Sequence, residues 1–298
     1  MPRKKVSQLS LLQPKSAQRQ IRICIASNAG GSGKTTTAVH LAYGIAKQGY
    51  KVTIIELDIS GSLSTFTGLP MHPAPEDSIA AVFESDFNGD YPFQSIWRDR
   101  VDSVTAIQGG EAIEAVIRSI PLLPRGHYTL LDRLEDFPLE ADVVLIDTPA
   151  TLEPMGVVAL AACTHVLSPI KPENKDAEGF AGFVRWYYRQ VSELRLRPKP
   201  EFLGFVPNRV DWAETAMHRN FLGLDRQGRL RDDIDLADTL PALIEEMGIH
   251  CFTPVRQSNF YLNASLERLP LQAYRPGCDA AKDFDPIVEQ IIEKLTEG

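Results

Sequence analysis

The stretch IRICIASNAGGSGKTTTA, Ile21 to Ala38, decides how the rest of the chain is read. Ile21, Ile23 and Ile25 centre a β-strand over Gln20–Ser27. A turn rich in glycine and serine follows. Thr36–Gln48 then reads as a helix, with Val39, Leu41, Ala42, Ile45 and Ala46 near a 3.6-residue period and Gly49 ending it. A strand that runs through small residues into a helix N-terminus suits an anion. Backbone N–H groups reach phosphate oxygens without a side-chain clash, and the helix end adds a favourable field. Asn28, Gly30, Gly31, Ser32, Gly33, Lys34, Thr35 and Thr36 are therefore the candidate phosphate contacts. Lys34 can bring its ammonium to the β- and γ-phosphates of a nucleotide, and the Thr35 hydroxyl suits a magnesium ion. One position departs from G-x-x-x-x-G-K-[ST]: Asn28 replaces the first glycine. Asparagine tolerates unusual backbone angles, so phosphate binding stays open.

Working outward, Lys51–Leu57, Asp142–Ile146, Thr164–Pro169 and Glu201–Pro207 read as further strands. Helical patterns fall at 80–87, 110–119, 152–162, 175–195, 235–247 and 283–295, and residues 60–140 otherwise read as loops and helices elaborating one face. This alternation predicts an α/β fold, a mostly parallel twisted sheet with helices on both faces, and the phosphate-binding turn before the first helix makes the P-loop NTPase fold the expected kind. Two carboxylates stand where strands end. Asp147 closes Asp142-Val-Val-Leu-Ile-Asp147, where it can hold magnesium through water and sense a γ-phosphate. Asp58 follows the strand around Ile54 and Ile55, where it can orient an attacking water and touch magnesium through water. Glu56 can support a magnesium-bound water; the plainer reading makes Glu56 and Asp58 strand-end caps.

Composition narrows the class. The 298 residues are 44% hydrophobic and 23% charged, as in a soluble globular chain. Four cysteines, at 24, 163, 251 and 278, have neither disulfide-scaffold nor zinc spacing. No apolar run approaches the roughly 20 residues that span a bilayer, and no secretory signal pattern is present, so the cytoplasm is expected. The net charge of -8 is unevenly spread. Residues 1–22 carry Arg3, Lys4, Lys5, Lys15, Arg19 and Arg22 and no acid, so 1–19 is expected to be a flexible basic arm ahead of a single domain at 20–298. Residues 185–231 are also basic, so a polyanion can dock there while the acidic remainder keeps the chain soluble. Arg195, Arg197, Lys199, Arg209, His218, Arg219, Arg226, Arg229 and Arg231 are the candidate phosphate contacts of that region. Phe180, Phe183, Trp186 and Tyr187 are interleaved with Arg185 and Arg189; a base-stacking surface is one reading, core packing the other.

Taken in order, Asn28–Thr36, Glu56-Leu57-Asp58, Asp147-Thr148-Pro149, Pro169-Ile170-Lys171-Pro172-Glu173 and Gly204–Arg209 resemble the ParA/MinD group of deviant phosphate-loop ATPases, over about nine-tenths of the chain. The resemblance implies ATP and magnesium as cofactors and an ATP-bound homodimer that binds double-stranded DNA without sequence preference. It also implies a small adaptor on the cargo, McdB-like or ParB-like, that stimulates hydrolysis, and nucleoid association without a membrane. In the resembling family Lys34, Asp58 and Asp147 are the catalytic set, Asn208 meets the adenine edge, and Pro254 packs near the base. That family usually carries a lysine immediately before the Gly-Gly pair; here the residue is Ala29. A methyl group neutralises no phosphate, so a cation from elsewhere is needed, and Lys171 is the preferred substitute. Ala29 together with Lys171 resembles the McdA branch, which distributes carboxysomes over the nucleoid. Plasmid or chromosome partition is the alternative, followed by an ATP-gated DNA-binding scaffold without hydrolysis and a metabolic ATPase or kinase. A MinD-like membrane role is disfavoured by the acidic last helix, with Glu289, Glu293 and Glu297 beside Lys294. A nitrogenase-iron-protein relative is disfavoured because no cysteine pair suggests a bridging cluster.

Overall fold

The computed structural model describes residues 20–297, the side chains of 174–178 excepted; the basic arm expected at 1–19 lies outside the described residues. Seven strands form one sheet: β1 Ile21–Ile25, β2 Val52–Glu56, β3 Gln94–Ser95, β4 Val104–Ile107, β5 Val143–Asp147, β6 His165–Ile170 and β7 Glu201–Pro207. Their order is β3-β4-β2-β5-β1-β6-β7, and every pairing is parallel except that of β3 with β4. Parallel strands are covered on both faces, which is why VTIIE and VVLID read as almost unbroken apolar runs. Side chains alternate between two cores. Ile23, Ile25, Ile54 and Leu145 face one, Cys24, Ile55 and Ile146 the other.

The helices are α1 Lys34–Lys47, α2 Ser64–Thr67, α3 Glu114–Ser119, α4 Thr129–Asp136, α5 Met155–Ala162, α6 Asn174–Glu193, α7 Ala216–Leu222, α8 Leu240–Glu246, α9 Asn259–Leu266, α10 Leu271–Tyr274 and α11 Asp285–Thr296. Helices α1 and α11 cover the first face, with Leu41, Ile45, Ile287 and Ile291 fully or almost fully buried. Each such side chain contributes about 1.5–3 kcal/mol by leaving water. Helices α4, α5 and α6 cover the other face. The α6 aromatics belong to that core: Phe183 and Tyr187 are at most 1% exposed, so base stacking is closed to them. Phe180 and Trp186 are buried beside them and are equally closed to a base.

Several elements differ from the sequence reading. Within 60–140 the chain adds two strands, β3 and β4, of two and four residues; runs that short carry too little alternation to be seen. The helix expected at 80–87 is a 3₁₀ segment, Ile79–Phe83. The one expected at 235–247 is split by extended Thr239 into a 3₁₀ turn and α8. Helix α4 is among the helices expected within 60–140, whereas α7 and α9, of seven and eight residues, have no counterpart in the sequence pattern.

What the topology does for function is set by register. Ile25 and Glu56 both stand opposite Asp147. The loop leaving β1 and the acidic ends of β2 and β5 therefore meet on one edge, the carboxyl edge where ligands bind in open parallel sheets.

Candidate functional site

The loop from Ala26 to Gly33 joins β1 to α1. Gly31 and Gly33 have φ of 72° and 90°, values that side-chain-bearing residues avoid. At Gly33 space decides as well: a Cβ there would lie 2.2 Å from Asn208 Nδ2. Asn28 needs no such freedom, because the non-glycine residues with positive φ among those described are Trp97, Arg195, Arg209 and Arg268. Inside the loop the Ser27 and Ser32 hydroxyls are 2.6 Å apart. Two donors, Ser27 Oγ at 3.3 Å and Lys34 Nζ at 3.2 Å, converge on the Ala29 carbonyl. Lys34 thus lies folded back on the loop, 7% exposed. Burial lowers its pKa, while Asp147 and Asp58 oppose that shift.

Asp147 is fully buried, and neither of its carboxylate oxygens has a hydrogen-bond partner. Burial pushes its pKa up to about 8; the Glu56 and Asp58 charges add to the rise, and the Thr35 hydroxyl and Lys34 ammonium pull the other way. A buried carboxylate left this way costs several kcal/mol unless something compensates it. Among the described residues no three His, Cys, Asp or Glu side chains gather into a metal cage. The oxygen donors of Thr35 and Asp147 nevertheless fit magnesium, which takes few protein ligands and keeps waters and phosphate oxygens for the rest. Asp58 is half-buried; its Oδ1 accepts from Ser60 N–H at 2.9 Å. Lys34, Thr35, Asp58 and Asp147 are thereby brought together.

Other expected residues are placed differently. Asn208 is buried under the loop, with Nδ2 donating to Ser32 O at 2.8 Å and Oδ1 accepting from Arg209 N–H at 2.8 Å. Arg209 Nη1 donates to Gly31 O at 3.2 Å, from a backbone held at φ 55°. The Asn208-Arg209 pair therefore grips two consecutive loop carbonyls, a role the sequence reading missed. Gly30 packs near Ala150, whose Cβ would lie 3.8 Å from an added Cβ, and Thr36 O accepts from His40 Nδ1–H at 2.6 Å. Lys171 follows β6 and is ion-paired with Glu173, two residues on, rather than with the loop. Pro254 lines a separate cleft of about 500 Å³ with Trp212, Leu224, Gln227 and Arg256.

One cleft of about 550 Å³ lies at the opposite edge of the sheet, around Gln20, His165 and Glu201, away from the loop, whereas a wider one of about 880 Å³ takes in Asn28 with Ala150 and Trp186. A phosphate site made of backbone N–H groups is a surface rather than a cave, so the loop needs no deep cavity to hold an anion. Several basic candidates of 185–231 are already engaged. Arg229 pairs with Asp225, Arg231 with Asp233, and Arg219 donates to Trp212 O and Ala213 O. His218 is 4% exposed, accepts from Asp211 N–H at 2.9 Å and has a pKa lowered by burial and Lys171, so it is no phosphate contact. Arg195, Arg197 and Lys199 are exposed, and Lys199 sits over the rings of Tyr187 and Tyr188.

Residues 20–197 match the AAA domain family, and the chain belongs to it as a P-loop ATPase of the ParA/MinD group. Protein IncC of Escherichia coli is 30% identical over 210 residues, covering 67% of this chain and 54% of IncC, so the chain spans about half the length of that relative. A ParA family protein of Chlamydia muridarum is 29% identical over 252 residues, 83% of this chain and 96% of that one. In fold, the chain is similar to apo McdA of Cyanothece, with a TM-score of 0.75 and 21% identity over 92% of this chain and all of that one. No helix among the described residues is long and apolar enough to cross a membrane.

Proposed function

We propose that this chain is an ATP-driven positioning ATPase whose nucleotide state gates dimerisation and DNA binding. The observation that carries the reading is the fully buried, unpartnered Asp147 carboxylate set opposite the end of β1, beside Thr35 and Lys34. Magnesium, held by Thr35 and Asp147, supplies charge neutralisation for the phosphates when bound. Lys34 leaves the Ala29 carbonyl for the β- and γ-phosphates, exchanging a neutral acceptor for a charged one. The Gly30–Gly33 N–H groups and the α1 N-terminus hold the phosphate tail. Asp58 orients the attacking water. Asn208, engaged beneath the loop, steadies the phosphate site through Ser32 O.

In the dimer, Lys171 supplies the cation absent at Ala29. Closure exchanges its Glu173 partner for phosphate of the facing nucleotide, which costs little because the resting pair is only partly buried. Exposed Arg195, Arg197, Lys199 and Arg226 are the DNA-phosphate contacts that remain available, and two copies on one dimer give nucleotide-controlled avidity. A small adaptor on the cargo stimulates hydrolysis and release. The pairing of Ala29 with Lys171 favours a protein-compartment cargo, with carboxysomes as the particular case. Likeness to the Chromosome-partitioning ATPase Soj of Thermus thermophilus, 28% identical over 192 residues, supports the second reading, DNA partition.

The test compares the purified chain with Lys34→Ala for ATP turnover, solution mass and binding of random-sequence duplex DNA, each with and without magnesium-ATP. The wild type is expected to hydrolyse slowly, to dimerise and bind DNA only with ATP, and to bind less tightly as salt rises; Lys34→Ala loses all three. Equal pairing and equal DNA binding without nucleotide overturn the gate.

A further inference from the structure

We infer that Glu56 is a positioning residue for hydrolysis, a brace that shapes the Asp58 loop, and not a magnesium ligand. The inference rests on the reading of Asp58 as the water-orienting group. Glu56 ends β2 two residues before Asp58 and is 0% exposed. Each of its carboxylate oxygens is taken by a backbone donor: Oε1 accepts from Leu63 N–H at 2.8 Å, and Oε2 accepts from Gly109 N–H at 3.0 Å. The first bond ties the far end of the 57–63 segment back to its start. The second ties that closed loop to the residues following β4.

Neighbouring contacts continue the brace. Leu57 N–H donates to Asp147 O at 2.8 Å, and Gly110 N–H donates to Asp58 O at 2.9 Å. Asp58 Oδ1 is set by Ser60 N–H at 2.9 Å. Gly109 is required by closeness rather than by backbone angle: a Cβ there would lie 2.7 Å from Asp58 O and 2.8 Å from Glu56 O. The Asp58 backbone is thus held by Gly109 and Gly110 on one side and by the Glu56 carboxylate at the loop's two ends. Charge-assisted hydrogen bonds to backbone N–H are the strong kind, and they offset part of the cost of burying this carboxylate. With one backbone donor on each oxygen, the carboxylate is oriented toward the loop and has less accepting capacity left for a magnesium-bound water. A general group that orients water must be held within about half an ångström, and loops hold side chains less well than strands do. Glu56 lends the loop that rigidity.

Glu56→Gln tests this with little change of shape. Its amide oxygen still accepts one N–H, but its NH₂ meets the other N–H donor head-on. Gly109→Ala displaces the same loop without altering a carboxylate. Three quantities are read on both variants and the wild type: steady-state ATP turnover, affinity for a fluorescent ATP analogue across a magnesium titration, and deuterium exchange of the peptide amides over 57–64. Both variants are expected to lose about tenfold or more in kcat, with KM, analogue affinity and the magnesium midpoint within about twofold of wild type, and with faster exchange over 57–64. A weakened magnesium midpoint in Glu56→Gln alone would make it a metal-site residue and overturn the assignment. Unchanged kcat with faster exchange would reduce it to a fold contact, and unchanged exchange would remove the brace altogether. Should the wild type bind ATP yet never hydrolyse it, the ATPase reading falls while the exchange data still decide the brace.

Discussion

Glu56 and Asp147 end adjacent parallel strands, stand opposite one another in register, and are both 0% exposed, yet they are different chemical objects. Both Glu56 oxygens accept backbone N–H groups; no well-formed hydrogen bond reaches either Asp147 oxygen, and the nearby Thr35 hydroxyl is the one neutral donor that favours its charged form. The difference follows from what comes after each strand. Beyond β2 the chain curls back and offers its Leu63 N–H to Glu56. Beyond β5 it runs through Thr148, whose hydroxyl donates to Ile25 O at 2.9 Å, and Pro149, which has no N–H to give. Equal burial therefore says little about function. Satisfaction of the buried oxygens separates a structural carboxylate from one that awaits a ligand.

Breaking the unsatisfied member has the largest expected effect. Asp147→Asn is expected to weaken magnesium-ATP binding about 100-fold, or about 2.7 kcal/mol, and to erase the magnesium dependence of nucleotide affinity, measured by titration calorimetry. Glu56→Gln leaves both untouched, so similar losses in the two variants would erase the contrast. The cations offer a parallel contrast: Lys34 rests on a neutral carbonyl, Lys171 on a carboxylate. Lys171→Ala is expected to weaken the ATP-dependent dimer about tenfold, or about 1.4 kcal/mol, without changing ATP affinity of the monomer. Sedimentation at several concentrations reads this, and an unaltered dimer removes Lys171 from the interface.

Titration sharpens the pair further. Burial lifts the Glu56 carboxyl to about 7 and the Asp147 carboxyl to about 8, above their unfolded values. The folded state then holds protons that the unfolded chain has released, so stability falls as pH rises through these values. His40 opposes this lower down. Its folded pKa, lowered by burial to about 4, makes stability fall as pH drops from about 6.5 toward 4. The clean window is therefore pH 7 to 8. Nucleotide-free wild type is expected to lose up to about 1.4 kcal/mol over that unit, chiefly through Asp147, and Asp147→Asn to lose much less. Urea unfolding at the two pH values measures it. The smallest effect belongs to the loop's underside. Asn208→Ala removes the bond to Ser32 O and is expected to cost about 1 kcal/mol, a fall in Tm of about 3 °C.

Much of this was legible from residue order. The strand, glycine turn and helix of 21–48 and the parallel sheet follow from local pattern, because each element declares itself within a dozen residues, whereas the meeting of Lys34, Thr35, Asp58 and Asp147 rests on the register of β1, β2 and β5. Glu56 shows the limit. Its spacing from Asp58 admits a magnesium role, and only Gly109, 53 positions away, shows the carboxylate to be occupied. Asn208 and Arg209 are similar, since their hold on Ser32 and Gly31 spans 176 and 178 positions. His218 and Arg229 read as basic surface until folding gave them partners in their own loop.

Periodicity, glycine placement and the end of each apolar run are properties of neighbouring residues, and they determined the phosphate loop and the sheet by themselves. Which buried oxygen is satisfied, and which is left for a metal, depends on N–H groups brought in from distant chain, so only the tertiary structure decided it. Hydrogen bonds act over about 3 Å, and sequence separation carries no record of that distance.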